Sequence, residues 1–155
     1  MSSGILAMSI SLTGCANVDN RSDQAGDAKP VEFIDSGQYN LPFSDAVQVS
    51  AKKLLFMSGA IGADPGSDQL VKGGIEPESR QALDNIKSVL ESNGYGMTDV
   101  VKCTVMLADI AEWPAFNEVY KRFFARPWPV RAAVGVAALA VEGMRVEVTA
   151  MAAKA

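Results

Sequence analysis

A chain of 155 residues, 48% of them hydrophobic, is long enough for one domain with a real core and too apolar for a disordered protein. Its formal charge of -4 gives no electrostatic basis for binding nucleic acid. It contains no histidine, which removes the usual general base, the usual catalytic triads and most zinc sites.

Residues 1–15 form a short apolar run ending in Leu12-Thr13-Gly14-Cys15. The run is too short to span a bilayer but suits the apolar region of a signal peptide. Its end resembles the lipobox of bacterial lipoproteins, with Cys15 as the lipidated residue, although no Lys or Arg precedes the run. The expectation is an exported, periplasmic, lipid-anchored protein that touches the membrane only through that anchor. Ala16 after Cys15, where Asp would stand otherwise, favours the outer membrane; a mis-assigned start would leave the protein cytoplasmic. Residues 16–30 are polar, small and aperiodic, and read as a tether ahead of a domain over 31–155.

Within that domain, strands are predicted over Val31–Ile34, Ala46–Ser50 and Lys53–Ile61, before Asp64-Pro65-Gly66 breaks the chain. Helix is predicted over Glu76–Asn93: Pro77 suits the first turn, Ala82, Ile86, Val89 and Leu90 form one stripe, and Gly94 follows as a cap. Val100–Ala108 reads as a strand rich in β-branched residues, and Trp113–Phe124 as a second helix stopped by Pro127 and Pro129. Val130–Ala138 and Met144–Met151 are the last strands. Each helix joins consecutive strands, so both should cross on one face of the sheet and leave the other open to a second copy.

The segment Pro127–Met151 carries few charges, and two of them, Arg131 and Glu147, fall inside predicted strands. A guanidinium there is costly unless an anion meets it. Standing alone, a strand arginine is more often a salt-bridged surface group, and a strand glutamate a solvated edge residue. Cys103 within its strand reads as a small buried hydrophobe, and Tyr120 and Phe123 as core.

Pro129-Val-Arg-Ala-Ala-Val-Gly-Val-Ala-Ala-Leu139, followed by Val146-Glu147-Val148, is similar to the C-terminal signature of the RidA/YjgF family of enamine/imine deaminases. Met57-Ser58-Gly59, Gln81–Glu91, Val101–Val105 and Phe116–Tyr120 occur in that family's order and near its spacing. The resemblance spans roughly residues 38–153. It implies an α+β, chorismate-mutase-like fold: a six-stranded mixed sheet, two helices on one face, and the final strand set between the third and fourth, antiparallel to both. It also implies a homotrimer with clefts between subunits, and hydrolysis of small 2-imino or enamine acids such as 2-aminoacrylate to 2-keto acids and ammonia. No cofactor and no metal enter that reaction.

By this resemblance Arg131 would hold the substrate carboxylate and Glu147 would polarise the attacking water. Backbone groups near Gly59 and Ala133 would position substrate and water, with Phe43, Ser58 and Asn117 lining the cleft. Ser58 read by itself is equally a turn hydroxyl, and Asn117 equally a capping or interface amide. Two positions depart from the family's pattern: Phe43 stands where a tyrosine is common, and Ala133 where Cys, Ser or Thr is common. Each removes a polar atom. A trimer that binds small carboxylates or keto acids without turnover is the alternative, and Glu147 separates the two.

Overall fold

Seven strands and two α-helices make up the described part of the chain, in the order β1 (Val31–Ile34), β2 (Ala46–Val49), β3 (Lys53–Phe56), β4 (Ala60–Ile61), α1 (Ile75–Ser92), β5 (Val100–Leu107), α2 (Trp113–Phe123), β6 (Val130–Gly135) and β7 (Val146–Lys154). The computed structural model describes residues 29–155 apart from Tyr39 and Asp68. The Leu12–Cys15 motif and nearly all of the expected tether lie outside the described residues.

The architecture is α+β. The main sheet runs β3-β7-β5-β6, with β4 also paired to β7. β7 lies between β3 and β5, antiparallel to both, and β5 pairs with β6 in parallel. This is the strand order that the resemblance implied. The expected six-stranded sheet is corrected to five strands and a separate β1-β2 ribbon. Two features of the structure account for this. The strands of the ribbon are four residues each and bury their side chains only partly, on alternate positions. The run 53–61 is cut into β3 and β4 at Met57–Gly59, where regular pairing is interrupted although the Met57 N–H still donates to the Ala150 carbonyl of β7 at 3.0 Å. At the C-terminus β6 stops at Gly135 rather than Ala138, and β7 runs on to Lys154 rather than ending at Met151.

Both helices lie against one face of the sheet, where Leu83, Ile86, Leu90, Phe116, Val119 and Tyr120 meet Cys103, Val105, Leu107, Val146, Val148 and Ala150. Truncating one of the fully buried aliphatic side chains, such as Leu83 or Ile86, costs about 2–5 kcal/mol. α1 ends as the sequence predicts: Gly94 takes φ 77°, and the N–H groups of Gly94 and Tyr95 donate to the carbonyls of Glu91 and Leu90. The opposite face of the sheet leaves Leu54, Phe56 and Val134 exposed, Phe56 at 68%.

α1 also fixes the parts of the sheet that matter most below. Asn85 Nδ2 donates to the carbonyls of Ile61 and Ala63, at 2.9 Å each, and so holds the exit of β4. The Glu78 carboxylate, 3% exposed, accepts from the backbone N–H groups of Arg145 (2.6 Å) and Val146 (3.2 Å) at the entry to β7. Gly62 makes this approach possible, because a Cβ there would stand 2.5 Å from the Glu78 carbonyl oxygen. Glu78→Ala leaves those two N–H groups without an acceptor, and a loss of about 2–4 kcal/mol in chemical denaturation is expected. Glu78→Gln keeps an acceptor oxygen and should recover most of it.

Candidate active site

Arg131 comes from the second position of β6, in register with the buried Cys103 of β5. Its side chain therefore projects from the helix-covered face, and the guanidinium carbon lies 4.3 Å from the ring centroids of both Trp113 and Tyr120 on α2. Nη1 and Nη2 are closed off from solvent and have no hydrogen-bond partner among the described residues. Burial pushes the pKa of Arg131 down, while the neighbouring Tyr120 and Cys103 oppose that shift. An arginine remains charged at neutral pH even so. The sequence asks for an anion here, and the structure supplies two aromatic rings but no carboxylate.

The rings belong to a continuous rank along α2. Trp113 stacks on Phe116 at 5.9 Å, Phe116 meets Tyr120 at 6.0 Å, and Tyr120 meets Phe124 at 4.4 Å. Asn117 lies on the same helix stripe, four residues after Trp113 and three before Tyr120. It is 8% exposed, and its Oδ1 has no partner. A buried amide oxygen inside α2 is no N-terminal cap, and Asn117 is not among the residues that line the cleft above Arg131.

Above Arg131 opens a cleft of about 300 Å³ lined by Leu41, Phe43, Ile110, Trp113, Arg131 and Ala133. The loop bearing Leu41 and Phe43 is tied to β6: Ser44 bridges Val130, and its hydroxyl donates to the Trp128 carbonyl at 2.7 Å. Ile110 rests on Gly135, where an added Cβ would come within 3.1 Å of the isoleucine Cβ. Arg131, Phe43 and Ala133 are thus gathered in one place.

Glu147 and Gly59 form the second group. Glu147 is in register with Met106 of β5 and Ile61 of β4, on the open face of the sheet. A Cβ on Gly59 would lie 1.7 Å from Glu147 Oε1, so the carboxylate rests directly on the glycine backbone. Ser58, next in the chain, is exposed beside it. Within one chain, then, Arg131 and Glu147 leave opposite faces of the same sheet. A single subunit does not join them.

Cys103 behaves as the small buried hydrophobe that the sequence suggests. It is 0% exposed, and burial pushes its thiol up to about 12, with Tyr120 and Arg131 pulling only partly the other way. The Tyr120 hydroxyl is its neighbour yet makes no hydrogen bond of ordinary geometry. Burial drives the phenol upward too. At neutral pH the thiolate fraction falls about a thousandfold below that of an ordinary cysteine. Peptide mapping after iodoacetamide treatment should find Cys103 unmodified in the native protein and alkylated once guanidinium chloride is added. The raised thiol pKa also contributes stability below about pH 9 that fades as pH climbs towards about 12.

Trp113, Tyr120, Leu41 and Ile110 were not expected at the site. Their signal is present in the sequence, since Trp113 and Tyr120 share a helix stripe with Asn117. An aromatic stripe on a helix, however, reads first as core. Leu41 and Ile110 lie in connecting segments whose path no periodicity reveals.

The chain is thus an α+β protein in which an arginine whose Nη1 and Nη2 have no hydrogen-bond partner among the described residues is stowed on aromatic rings below an apolar cleft. A family model described as Endoribonuclease L-PSP matches residues 37–154. The 2-iminobutanoate/2-iminopropanoate deaminases of Capra hircus and Homo sapiens are 49% and 47% identical to this chain over 111 residues, 72% of it and 79% of each relative. The crystal structure of RidA from an Antarctic Psychrobacter aligns with a TM-score of 0.62 at 31% identity, covering 81% of this chain and 99% of that one. The Yersinia pestis YyfB structure aligns at 0.71 with 23% identity, over 80% and 98%, a likeness of fold alone. The chain belongs to the Endoribonuclease L-PSP family, which is the RidA/YjgF family.

These relatives overturn the expectation of an exported, periplasmic lipoprotein. The deaminases that share almost half of the aligned positions carry enzyme names and no lipoprotein designation, and the family match begins at residue 37, well beyond Cys15. The lipobox likeness rests on four residues, too little to set against that match. No helix among the described residues is long and apolar enough to cross a membrane. The signal peptide, the lipid anchor on Cys15, the membrane partner and the periplasmic location are withdrawn.

Proposed function

We propose that residues 31–155 hydrolyse small 2-imino or enamine acids to 2-keto acids and ammonia, as a trimer of chorismate-mutase-like subunits. The observation that carries this reading is the buried, partnerless guanidinium of Arg131 at the base of a cleft. A substrate carboxylate is the anion it lacks, and a planar fork suits a carboxylate better than a lysine point charge would. Its nitrogens are sealed in the resting position, so the side chain turns off the Trp113 and Tyr120 rings to grip the ligand.

The opposite placement of Arg131 and Glu147 supports a site shared between copies, in which the Arg131 cleft of one subunit faces the Glu147 surface of the next. The exposed apolar face bearing Leu54, Phe56 and Val134 offers the surface for such packing. In the reaction Glu147 takes a proton from water as the water oxygen adds to the electrophilic imine carbon. The resulting carbinolamine accepts that proton on nitrogen. Glu147 then takes the hydroxyl proton and returns it on nitrogen as the C–N bond breaks, the bond's electron pair leaves with ammonia and the carbonyl forms. Asn117 Oδ1, Ser58 and the backbone at Gly59 and Ala133 orient substrate and water. With no histidine in the chain, a carboxylate is the fitting general base. The formal charge of -4 offers an RNA substrate no attraction.

The test generates imines in place with an L-amino-acid oxidase and lets the protein compete with semicarbazide for them. Less semicarbazone and faster release of keto acid support the reading; no acceleration over the uncatalysed rate overturns it. Sedimentation equilibrium reads the oligomer, and a monomer at working concentration removes the shared site.

A further inference from the structure

The cleft over Arg131 carries one charge and otherwise only apolar walls. Leu41, Phe43, Ile110 and Trp113 line it together with Ala133, two residues after Arg131 on β6. Among the described residues of one chain, no hydroxyl, amide or carboxylate side chain lines it. The two departures from the family's pattern act together here, since Phe43 and Ala133 each place hydrocarbon where a polar atom is common. Leu41 and Ile110 stay 44% and 52% exposed at the mouth, apolar surface with nothing yet to cover it.

The walls are also held in place. Ser44 anchors the Leu41–Phe43 loop to β6, Gly135 seats Ile110, and Phe116 backs the Trp113 ring. A cavity of about 300 Å³ has room for roughly ten waters, more than a three-carbon imino acid displaces. When the carboxylate sits on Arg131, the substituent on the imine carbon must run along this wall. A polar substituent would give up its water and find no partner on this wall, whereas a hydrocarbon one would cover Leu41 and Ile110.

We infer that the preferred substrates are 2-imino acids with a branched-aliphatic or aromatic side chain, of the kind formed when the amine of a leucine- or phenylalanine-type amino acid is oxidised. 2-Aminoacrylate and acidic imino acids are the poor ones. This rests on the deaminase reading above and deepens it.

Calorimetric titration of the protein with pyruvate, 4-methyl-2-oxopentanoate, phenylpyruvate and 2-oxoglutarate measures the wall without requiring turnover. Each further buried methylene strengthens binding about fourfold at most, so the branched keto acid should bind about tenfold or more tighter than pyruvate, and 2-oxoglutarate should bind weakest. The oxidase assay with alanine, leucine, phenylalanine and glutamate should rank kcat/KM in the same order, and Leu41→Ser with Ile110→Ser should flatten both series. Equal affinities, no keto-acid binding, or a preference for pyruvate or 2-oxoglutarate overturns the inference. A keto-acid gradient without turnover of any imine supports the wall's selectivity and removes the deaminase reading. Turnover that is flat across side chains does the reverse.

Discussion

Arg131→Met is expected to abolish useful turnover and, at the same time, to leave the protein as stable as before or more so. The two effects have one cause. Burying a guanidinium costs several kcal/mol after relaxation, and here no carboxylate offsets it. The Trp113 and Tyr120 rings, each 4.3 Å away, return about 0.5–2 kcal/mol apiece, which leaves the charge in deficit. Methionine has comparable length, no charge and enough flexibility to fill the gap over the rings. Replacing a buried charge with a hydrocarbon of similar volume is neutral to about 4 kcal/mol stabilising.

Activity moves the other way. Two charge-assisted hydrogen bonds to a substrate carboxylate contribute about 1.5–3 kcal/mol each, and losing both lowers kcat/KM by at least about a hundredfold. Arg131→Lys keeps the charge but not the fork, and should fall between the two. The measurements are keto-acid affinity, kcat/KM in the oxidase assay, and denaturation midpoints. A variant that is inactive because it unfolds would show that Arg131 is a structural residue and would remove the argument for an external anion.

Much of the fold is legible in the sequence because it rests on local chemistry. The α1 stripe and Gly94 place that helix within one residue at each end. Pro127 and Pro129 close α2, whose last residue is Phe123. The register of β7 is also readable: alternation from Val146 to Ala150 puts valine and alanine in the core and Glu147 and Thr149 outside. What failed depended on partners distant in sequence. Nothing around Met57–Gly59 announces that the run 53–61 breaks, because the break is set by how β7 lies across it. Glu78 is a first-turn acid suited to a helix N-terminus, but its carboxylate is spent on the entry to β7, 67 residues on.

The site divided along the same line. Arg131 was conspicuous as a charge in an apolar strand, and Phe43 and Ala133 were found beside it. The aromatic bed beneath it was hidden, since a stripe of rings on a helix is ordinary core. That Arg131 and Glu147 leave opposite faces follows from their register on β6 and β7. The facing of β7 shows in its alternation, but that of β6 is settled by pairing with β5, which no local pattern encodes.

Glu147→Gln is the substitution on which enzyme and binder part. If Glu147 takes the proton from water, the amide should lower kcat by about a hundred- to ten-thousandfold, the usual worth of a positioned general base. Keto-acid affinity should stay near wild type, because Arg131 and not Glu147 grips the carboxylate. The fold should survive, since Glu147 is only half-buried and gains little from its strand neighbours. Gly59→Ala probes the same group without altering its charge. The new methyl would stand 1.7 Å from Oε1, so the flexible end of Glu147 must move away while the β4-β7 ladder stays. A carboxylate displaced by an ångström or so loses its aim at the water, and a drop in kcat of about a hundredfold follows with KM little changed. If both variants turn over imines at the wild-type rate, Glu147 is a solvated strand residue and the water is activated elsewhere. If Gly59→Ala is impaired but Glu147→Gln is not, the glycine backbone itself, rather than the carboxylate resting on it, holds the water.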